Sequence, residues 1–180
     1  FNCTDSNFGA SFLLASRQRA VIPGSDGFNY GTSGLVDSCT LNNTKVITMD
    51  TAYSGGESTE NARFAIMSDT TLAALGNQHA VYIEDCTFTK TSGGNVLDTN
   101  WGGAYVGRFN IVTHTGGSGY IFEVHGIQGA MRAGRKWEMY GNTLIFSGSG
   151  GSAATDIRGG TGVYFGNTVD QSENVDLSHN

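Results

Sequence analysis

One short phrase recurs four times between residues 81 and 169, and this repeat constrains the fold more than any other feature of the sequence. The phrases align on a Cys or Asn, which we call the anchor residue. They occupy residues 81–88, 105–112, 137–144 and 162–169, with the anchors Cys86, Asn110, Asn142 and Asn167. The anchors are 24, 32 and 25 residues apart. A repeat of this length predicts a solenoid, in which each repeat buries its apolar side chains against its neighbours.

The residue types in the phrases predict strands rather than helices. Val, Ile, Tyr, Phe and Thr are frequent, and apolar residues tend to alternate with polar or small ones. Repeats of about 24 residues made only of strands and turns predict an all-β parallel β-helix of about six coils, with strands of successive coils about 4.8 Å apart. The 32-residue step then contains one coil with an insertion, which we place at residues 126–136.

Several motifs resemble a known family. The segments 81–88 and 103–110, the pair His125-Gly126 with the arginines after it, and the segments 137–143 and 159–168 are similar to right-handed parallel β-helix repeat proteins. These belong to the pectate-lyase-like superfamily, in versions common in phage and environmental sequences. The resemblance covers about half of the chain. It implies the fold, but this fold carries lyases, hydrolases, tailspikes, adhesins and inert stalks.

The enzymes of that superfamily have motifs that this sequence lacks in recognisable form. The resemblance to pectate lyases would imply a calcium-binding Asp cluster and an Arg base, and the polygalacturonase type would imply three Asp residues. Here Asp98 stands alone, and Asn142-Thr143 is followed by Leu144. We therefore favour a non-catalytic role, with no cofactor and no metal.

Composition limits the partners and the compartment. Only 14% of the 180 residues are charged and the net charge is −6, which disfavours nucleic acid because phosphate contacts need a basic face. No apolar run approaches the roughly 18 residues of a membrane span. We expect a location outside the cell or on a virion surface.

The chain length predicts one domain, residues 1–180. Residues 81–169 form the regular coils, 1–34 a cap or degenerate coil, and 170–180 a cap or linker. Solenoid ends need to be covered or stacked. The chain is therefore expected to form a homo-oligomer or a fibre, or to be part of a longer chain.

The anchor residues Cys86, Asn110, Asn142 and Asn167 are predicted to be structural, since an inward Asn at a bend can bond the backbone and its stacked neighbours. Cys39 and Cys86 are 47 residues apart, which suggests two coils and a separation of roughly 10 Å, too far for a disulfide. We expect both to be buried thiols, and a disulfide of Cys3 remains an alternative.

Three charged residues are the candidate catalytic group. Asp98, His125 and Arg158 lie 12, 15 and 16 residues after their anchors, and we expect them in one row on adjacent coils, about 5 Å apart. An acid, an imidazole and a guanidinium could bind a carboxylated sugar or perform acid–base chemistry. This row supports the alternative function, a polysaccharide lyase or glycoside hydrolase acting on acidic polysaccharide. The competing interpretation is a charge-balanced polar ladder.

Arginines and aromatics supply the candidate binding residues. Arg132 and Arg135 lie on the insertion and, with Arg108, suit an anionic glycan. Glu84 and Arg108 share a repeat position and are predicted to pair across neighbouring strands. Sugar rings stack on exposed aromatics, and the competing interpretation is packing in the core. The aromatics expected on outer faces are Tyr82, Trp101, Tyr105, Tyr120, Tyr140 and Tyr164.

These observations favour a structural and adhesion module that presents its faces to glycans and self-assembles. An ice-binding solenoid would need a flat, regular array of Thr. Thr87, Thr89 and Thr91 are too local to predict one.

Overall fold

The computed structural model of the chain consists of parallel strands. It describes residues 11–16, 34–50, 76, 80–100, 103–125, 134, 136–147 and 154–171, and these residues contain no helix. Their 15 strands form three parallel sheets of five strands each. Consecutive strands belong to the three sheets in turn, so the chain winds around a common core, which confirms the predicted all-β parallel β-helix.

The three sheets are named here by the order in which the chain enters them. Sheet I contains β1 (Ser11–Ser16), β4 (Lys45–Asp50), β7 (Leu97–Asn100), β10 (Phe122–Val124) and β13 (Thr155–Ile157). Sheet II contains β2 (Gly34–Asp37), β5 (Val81–Glu84), β8 (Ala104–Arg108), β11 (Lys136–Tyr140) and β14 (Thr161–Phe165). Sheet III contains β3 (Thr40–Asn42), β6 (Thr87–Lys90), β9 (Ile111–His114), β12 (Thr143–Phe146) and β15 (Thr168–Gln171). The predicted count of about six coils stays a prediction, because other parts of the chain lie outside the described residues.

Each repeated phrase is a strand of sheet II, a bend and a strand of sheet III. The residue before each anchor has a positive φ, and so does the residue before Cys39, which occupies the anchor position of the first described bend. The values are 53°, 53°, 58°, 66° and 61° for Ser38, Asp85, Phe109, Gly141 and Gly166. This left-handed conformation turns the chain sharply between the two sheets. The anchor residue that follows is directed into the core.

The inward anchors bond to one another along the solenoid. Asn142 Oδ1 accepts from the backbone N–H of Asn110 at 3.0 Å, and Asn167 Oδ1 accepts from that of Asn142 at 3.0 Å. The Nδ2 groups of Asn110 and Asn142 donate to the backbone carbonyls of Ile83 and Gly107, at 2.8 and 2.9 Å. The ladder therefore supplies partners for the polar backbone groups that the bend buries.

Two cysteines continue this ladder. The Sγ of Cys86 accepts from the backbone N–H of Cys39 at 3.4 Å, so the two residues lie in adjacent coils and the predicted 10 Å separation was wrong. The step of 47 residues spans a single coil, because the chain between β4 and β5 is long. Neither cysteine is in a disulfide and both are buried, and burial raises the pKa of Cys86 to about 12. Cys3 lies outside the described residues.

The core is filled by alternate residues of all three sheets. Sheet III contributes Leu41, Phe88, Val112 and Leu144, while their strand neighbours face out. Gly107 leaves space on sheet II for the ring of Phe122 from sheet I, since a Cβ there would lie 3.1 Å from the ring.

Two connections depart from the regular coil. β10 ends at Val124 and β11 begins at Lys136, so the extra residues of the 32-residue step lie between them, although Lys136 itself is buried in the strand. Gly76, in the long connection before β5, donates its N–H to Glu138 Oε1 at 2.8 Å. Within the described ranges, no helix is long and apolar enough to cross a membrane.

Candidate functional site

The predicted row of Asp98, His125 and Arg158 is correct for His125 and Arg158, and wrong for Asp98. Asp98 is in register with Glu123, and Glu123 with Asp156, whereas His125 and Arg158 come two residues later. The residues in register follow their anchors by 12, 13 and 14 positions. The turn from sheet III to sheet I lengthens by one residue per coil, from six to seven to eight, and counting from the anchors missed this.

The side chains nevertheless converge. His125 places Nδ1 2.8 Å from Asp98 Oδ1 and Nε2 3.1 Å from Glu123 Oε1. Arg158 pairs with the same Glu123 oxygen and places Nε 2.9 Å from Asp156 Oδ2. Lys45 Nζ lies 2.5 Å from Asp98 Oδ2. We call this group the sheet I cluster, and its members are Lys45, Asp98, Glu123, His125, Asp156 and Arg158.

The carboxylates of this cluster face away from the core but are shielded from water. Phe122 and Val124, which flank Glu123, are core residues, so Glu123 points outward. Even so, Asp98 and Glu123 are each only 1% exposed. The bases that contact them are partly exposed, and His125 is the most accessible, with 34% of its side chain in solvent.

The cluster needs one more positive charge than its Lys and Arg provide. Three carboxylates face two permanent cations, and both ring nitrogens of His125 are within hydrogen-bond distance of a carboxylate oxygen. Only the contact of Nδ1 with Asp98 is a hydrogen bond, while Nε2 lies at ion-pair distance from Glu123 Oε1. A proton held on one of the carboxyl groups would balance the remaining negative charge of the cluster.

Burial and charge separate the pKa values of the two central carboxyls. Burial, reinforced by the nearby charge of Asp98, raises the pKa of Glu123 to about 7. Burial alone would also raise the pKa of Asp98. The hydrogen bond with His125 and the charge of Lys45 outweigh that effect, and the pKa of Asp98 falls below its usual range. An acid–base pair requires such a separation.

Three members of the cluster could in principle hold a metal ion. One ligand atom each of Asp98, Glu123 and His125 lies within 4.8 Å of the others, and carboxylates and imidazoles are groups that divalent metals bind. Lys45 and Arg158 already pair with Asp98 and Glu123, so a metal would have to compete with both of these ion pairs. The donor set therefore suits the internal ion pairs better than a cation. A second group, Asp37, Glu84 and Asp85, lies near the surface, where Arg108 pairs with Glu84.

A second candidate site lies where sheet II bends into sheet III. Arg108 Nε is 2.5 Å from Glu84 Oε2, the cross-strand pair that the repeat position predicts. Arg108 Nη1 also donates to the Tyr140 hydroxyl at 3.0 Å. The Tyr140 ring stacks on Phe165 with centroids 4.9 Å apart and meets Phe109 edge-on at 5.8 Å. We call the group Arg108, Phe109, Tyr140 and Phe165 the corner patch.

Two aromatic rings of the corner patch are largely exposed. Phe109 is 51% and Phe165 56% exposed. Phe109 also has a φ of 58°, where a bulky residue is strained, while the equivalent positions of the next two coils are Gly141 and Gly166. A side chain kept exposed on a strained backbone suggests a role in binding.

The other predicted binding residues and outer aromatics have different outcomes. Trp101, Arg132 and Arg135 lie outside the described residues. Tyr105 was expected on an outer face but is fully buried in the core, because its strand position faces inward, and Tyr164 also packs against the core.

Sequence reasoning missed several members of both sites. The sequence analysis did not assign three members of the sheet I cluster, because their register depends on turn lengths. These are Lys45, Glu123 and Asp156. Phe109 and Phe165 could have been found from the repeat, since each adjoins its bend. Comparison of the chain with protein-family models, curated proteins and solved structures finds no match to any of them.

Proposed function

We propose that the chain is a non-catalytic adhesion module that binds glycans through the corner patch, as part of an extracellular or virion-surface assembly. The observation that carries the proposal is the exposed ring of Phe165 stacked on the half-buried ring of Tyr140, beside the exposed Phe109 on its strained backbone. The β-helix type that the motifs resemble, the pectate-lyase-like superfamily, includes adhesins and tailspikes, which is compatible with this role.

The chemistry of the patch fits a sugar ring, with or without an acidic group. Aromatic faces provide apolar platforms for sugar rings, and Arg108 beside them can pair with a carboxylate. Glu84 already pairs with Arg108, so an incoming carboxylate would compete with it or share the guanidinium. A screen therefore needs both classes of glycan, because Arg108 favours an acidic sugar while the carboxylates of Asp37, Glu84 and Asp85 near it oppose one.

A glycan screen with acidic and neutral polysaccharides tests the proposal. We expect the wild-type chain to bind glycans of at least one class, and Tyr140→Ala and Phe165→Ala each to weaken binding about tenfold, the loss of one stacking contact of about 1–1.5 kcal/mol. Val163→Ala, a half-buried position on the same strand as Phe165, is the control and should bind normally. Wild-type affinity in both aromatic variants would rule out the patch as the binding site.

The alternative is an enzyme acting on acidic polysaccharide. It is favoured by the separated pKa values of Asp98 and Glu123 in one cluster. Against it, both carboxylates are almost fully shielded from a polymer. The same screen distinguishes the enzyme from the adhesion module if it also records reducing ends and unsaturated products. Turnover that is lost in His125→Ala but retained in Tyr140→Ala would support the enzyme.

A further inference from the structure

The outer face of sheet III carries a regular array of hydroxyl side chains. In three successive coils, alternate residues of the strand and the position after it point away from the core. The rows are Thr87, Thr89 and Thr91 in the first coil, Ile111, Thr113 and Thr115 in the second, and Thr143, Ile145 and Ser147 in the third. We call these nine residues the threonine array. Thr40 and Thr168 continue its first column into the coils on either side, whereas its second column ends at Asn42 and at the exposed Asp170 in those coils.

The array corrects the expectation that the threonines of this region are only local. The residue after the anchor is Thr in four of five coils and Ile in the other, and the strands of sheet III pair without a register shift. Thr87, Ile111, Thr143 and their equivalents are exposed. The signal was present in the sequence as the position after each anchor.

The array is regular in two directions. Strands of adjacent coils lie about 4.8 Å apart, and alternate residues of one strand about 6.6 Å apart. The spacing between coils is close to one repeat of the water oxygens in hexagonal ice, and the spacing along the strand is somewhat shorter than the other repeat. The nine positions therefore form a lattice of methyl and hydroxyl groups that matches that solid best across the coils.

The core and the anchor ladder hold the backbone of the array in a fixed position. The inward residues that alternate with it, Phe88, Val112 and Leu144, are buried in the core. The anchor ladder fixes the bend immediately before the first column. Beyond the strands, the N–H groups of Thr115 and Ser147 donate to carbonyls of the preceding coil at 2.8 and 3.0 Å. A surface that is already ordered loses little entropy when it binds.

The chemistry of the array selects its ligand. None of its nine side chains is charged, so it cannot attract phosphate or carboxylate groups. It contains no aromatic ring on which a sugar could stack. Methyl groups restrict the orientation of the first water layer, while hydroxyls bond to it. The Thr91 hydroxyl is the exception in its row, since it donates to Asn43 Oδ1 at 3.2 Å. Ordered water is the ligand that such a surface recognises best.

We propose that the threonine array is an ice-binding face, which holds a layer of water in ice-like positions and so attaches the protein to ice crystals. This face is separate from the corner patch, and the inference does not depend on glycan binding. The two isoleucines supply methyl groups without hydroxyls, so they interrupt the bonding pattern while keeping the surface apolar.

Thermal hysteresis and the inhibition of ice recrystallisation, both measured on the purified chain, test the proposal. We expect the wild type to lower the freezing point below the melting point, and Thr113→Lys, at the centre of the array, to lose most of that effect. Thr161→Lys places the same charge at an exposed Thr on sheet II and should retain it. Ile145→Thr completes a row and should increase it.

Thermal unfolding of each variant checks that it is folded. If Thr113→Lys does not fold, the milder double variant Thr89→Ser and Thr113→Ser replaces it. That variant keeps the hydroxyls and removes two methyl groups, so part of the activity should be lost. A wild-type chain without any effect on ice growth would overturn the proposal, and so would an equal loss in Thr113→Lys and Thr161→Lys.

Discussion

Glu123 is the residue whose environment differs most from that of a surface carboxylate. It is buried on the outer side of sheet I, close to Asp98, and contacts both His125 and Arg158. Its Oε1 has partners, but its Oε2 is buried without a hydrogen bond. An ionised carboxylate left partly unsatisfied in this way is costly, which is the physical reason that the site favours its protonated form.

We predict that this proton makes the stability of the protein depend on pH. The folded pKa of Glu123, about 7, lies above its ordinary value of 4.5. Between these values the folded chain keeps a proton that the unfolded chain has released, so stability falls as pH rises through this window. At about 1.4 kcal/mol per unit, the loss is on the order of 3 kcal/mol.

The measurement is the free energy of unfolding from denaturant titrations of wild type and Glu123→Gln at several pH values. The free energy of unfolding of the wild type minus that of the variant should fall as the pH rises from 4.5 to 7. It should level off above pH 7. Taking the difference matters because burial lowers the pKa of His114, which gives an opposite slope in both proteins. Parallel curves across the window would contradict a raised pKa for Glu123.

At the scale of the element, the bend between sheets II and III is the unit that repeats most faithfully. Each bend combines a left-handed residue with an inward anchor, and the anchor accepts a hydrogen bond from the anchor of the coil before it. Cys86 takes part by accepting through sulfur, and its own N–H donates to Asn110 Oδ1 at 3.0 Å. The bends are therefore coupled to their neighbours and not independent turns.

We predict that Asn142→Ala destabilises the protein by about 3 kcal/mol. The substitution removes the acceptor of the Asn110 N–H and the donor to the Gly107 carbonyl, both buried, and each unsatisfied group costs about 1–3 kcal/mol. Asn167→Ala, in the last described coil, is the matched comparison. Its side chain is only half-buried, so water can replace part of what is lost, and about 1 kcal/mol is expected.

Denaturant unfolding of both variants measures these costs. Equal destabilisation by the two substitutions would show that the ladder does not depend on burial.

The repeated bend also explains how much the sequence could predict. The anchors sit at invariant positions in the phrase, so the alternation, the strands and the fold class followed from four short segments. The register of sheet I did not follow, because the turns after β6, β9 and β12 have different lengths. Asp98 was therefore placed beside His125 and Arg158, while its true neighbour in register, Glu123, was overlooked. The residue types at the strands and anchors repeat from coil to coil in this chain, whereas the loop lengths do not.

At the scale of the whole molecule, each of the three sheets carries a different kind of surface group. Sheet I carries buried ion pairs, sheet II ends in the exposed rings of the corner patch, and sheet III presents the uncharged threonine array. A solenoid gives such faces a constant spacing because each coil contacts only its neighbours. The same property makes the ends of the stack its least stable parts.

The last described coil should therefore open before the central ones. Residues of β14 and β15 are exposed or half-buried, and in the described part of the chain no strand pairs with their outer edges. Hydrogen exchange at low protein concentration should be faster in β14 and β15 than in β8 and β9, which have neighbours on both sides.

The concentration dependence of that exchange tests the proposed self-assembly. If copies stack through this edge, the amides of β14 and β15 become protected as the concentration rises, while those of β8 and β9 do not change. Protection of β14 and β15 that stays the same at all concentrations would rule out stacking at this end. The comparison is internal to one protein, so differences in solvent or temperature between samples cannot produce the selective effect.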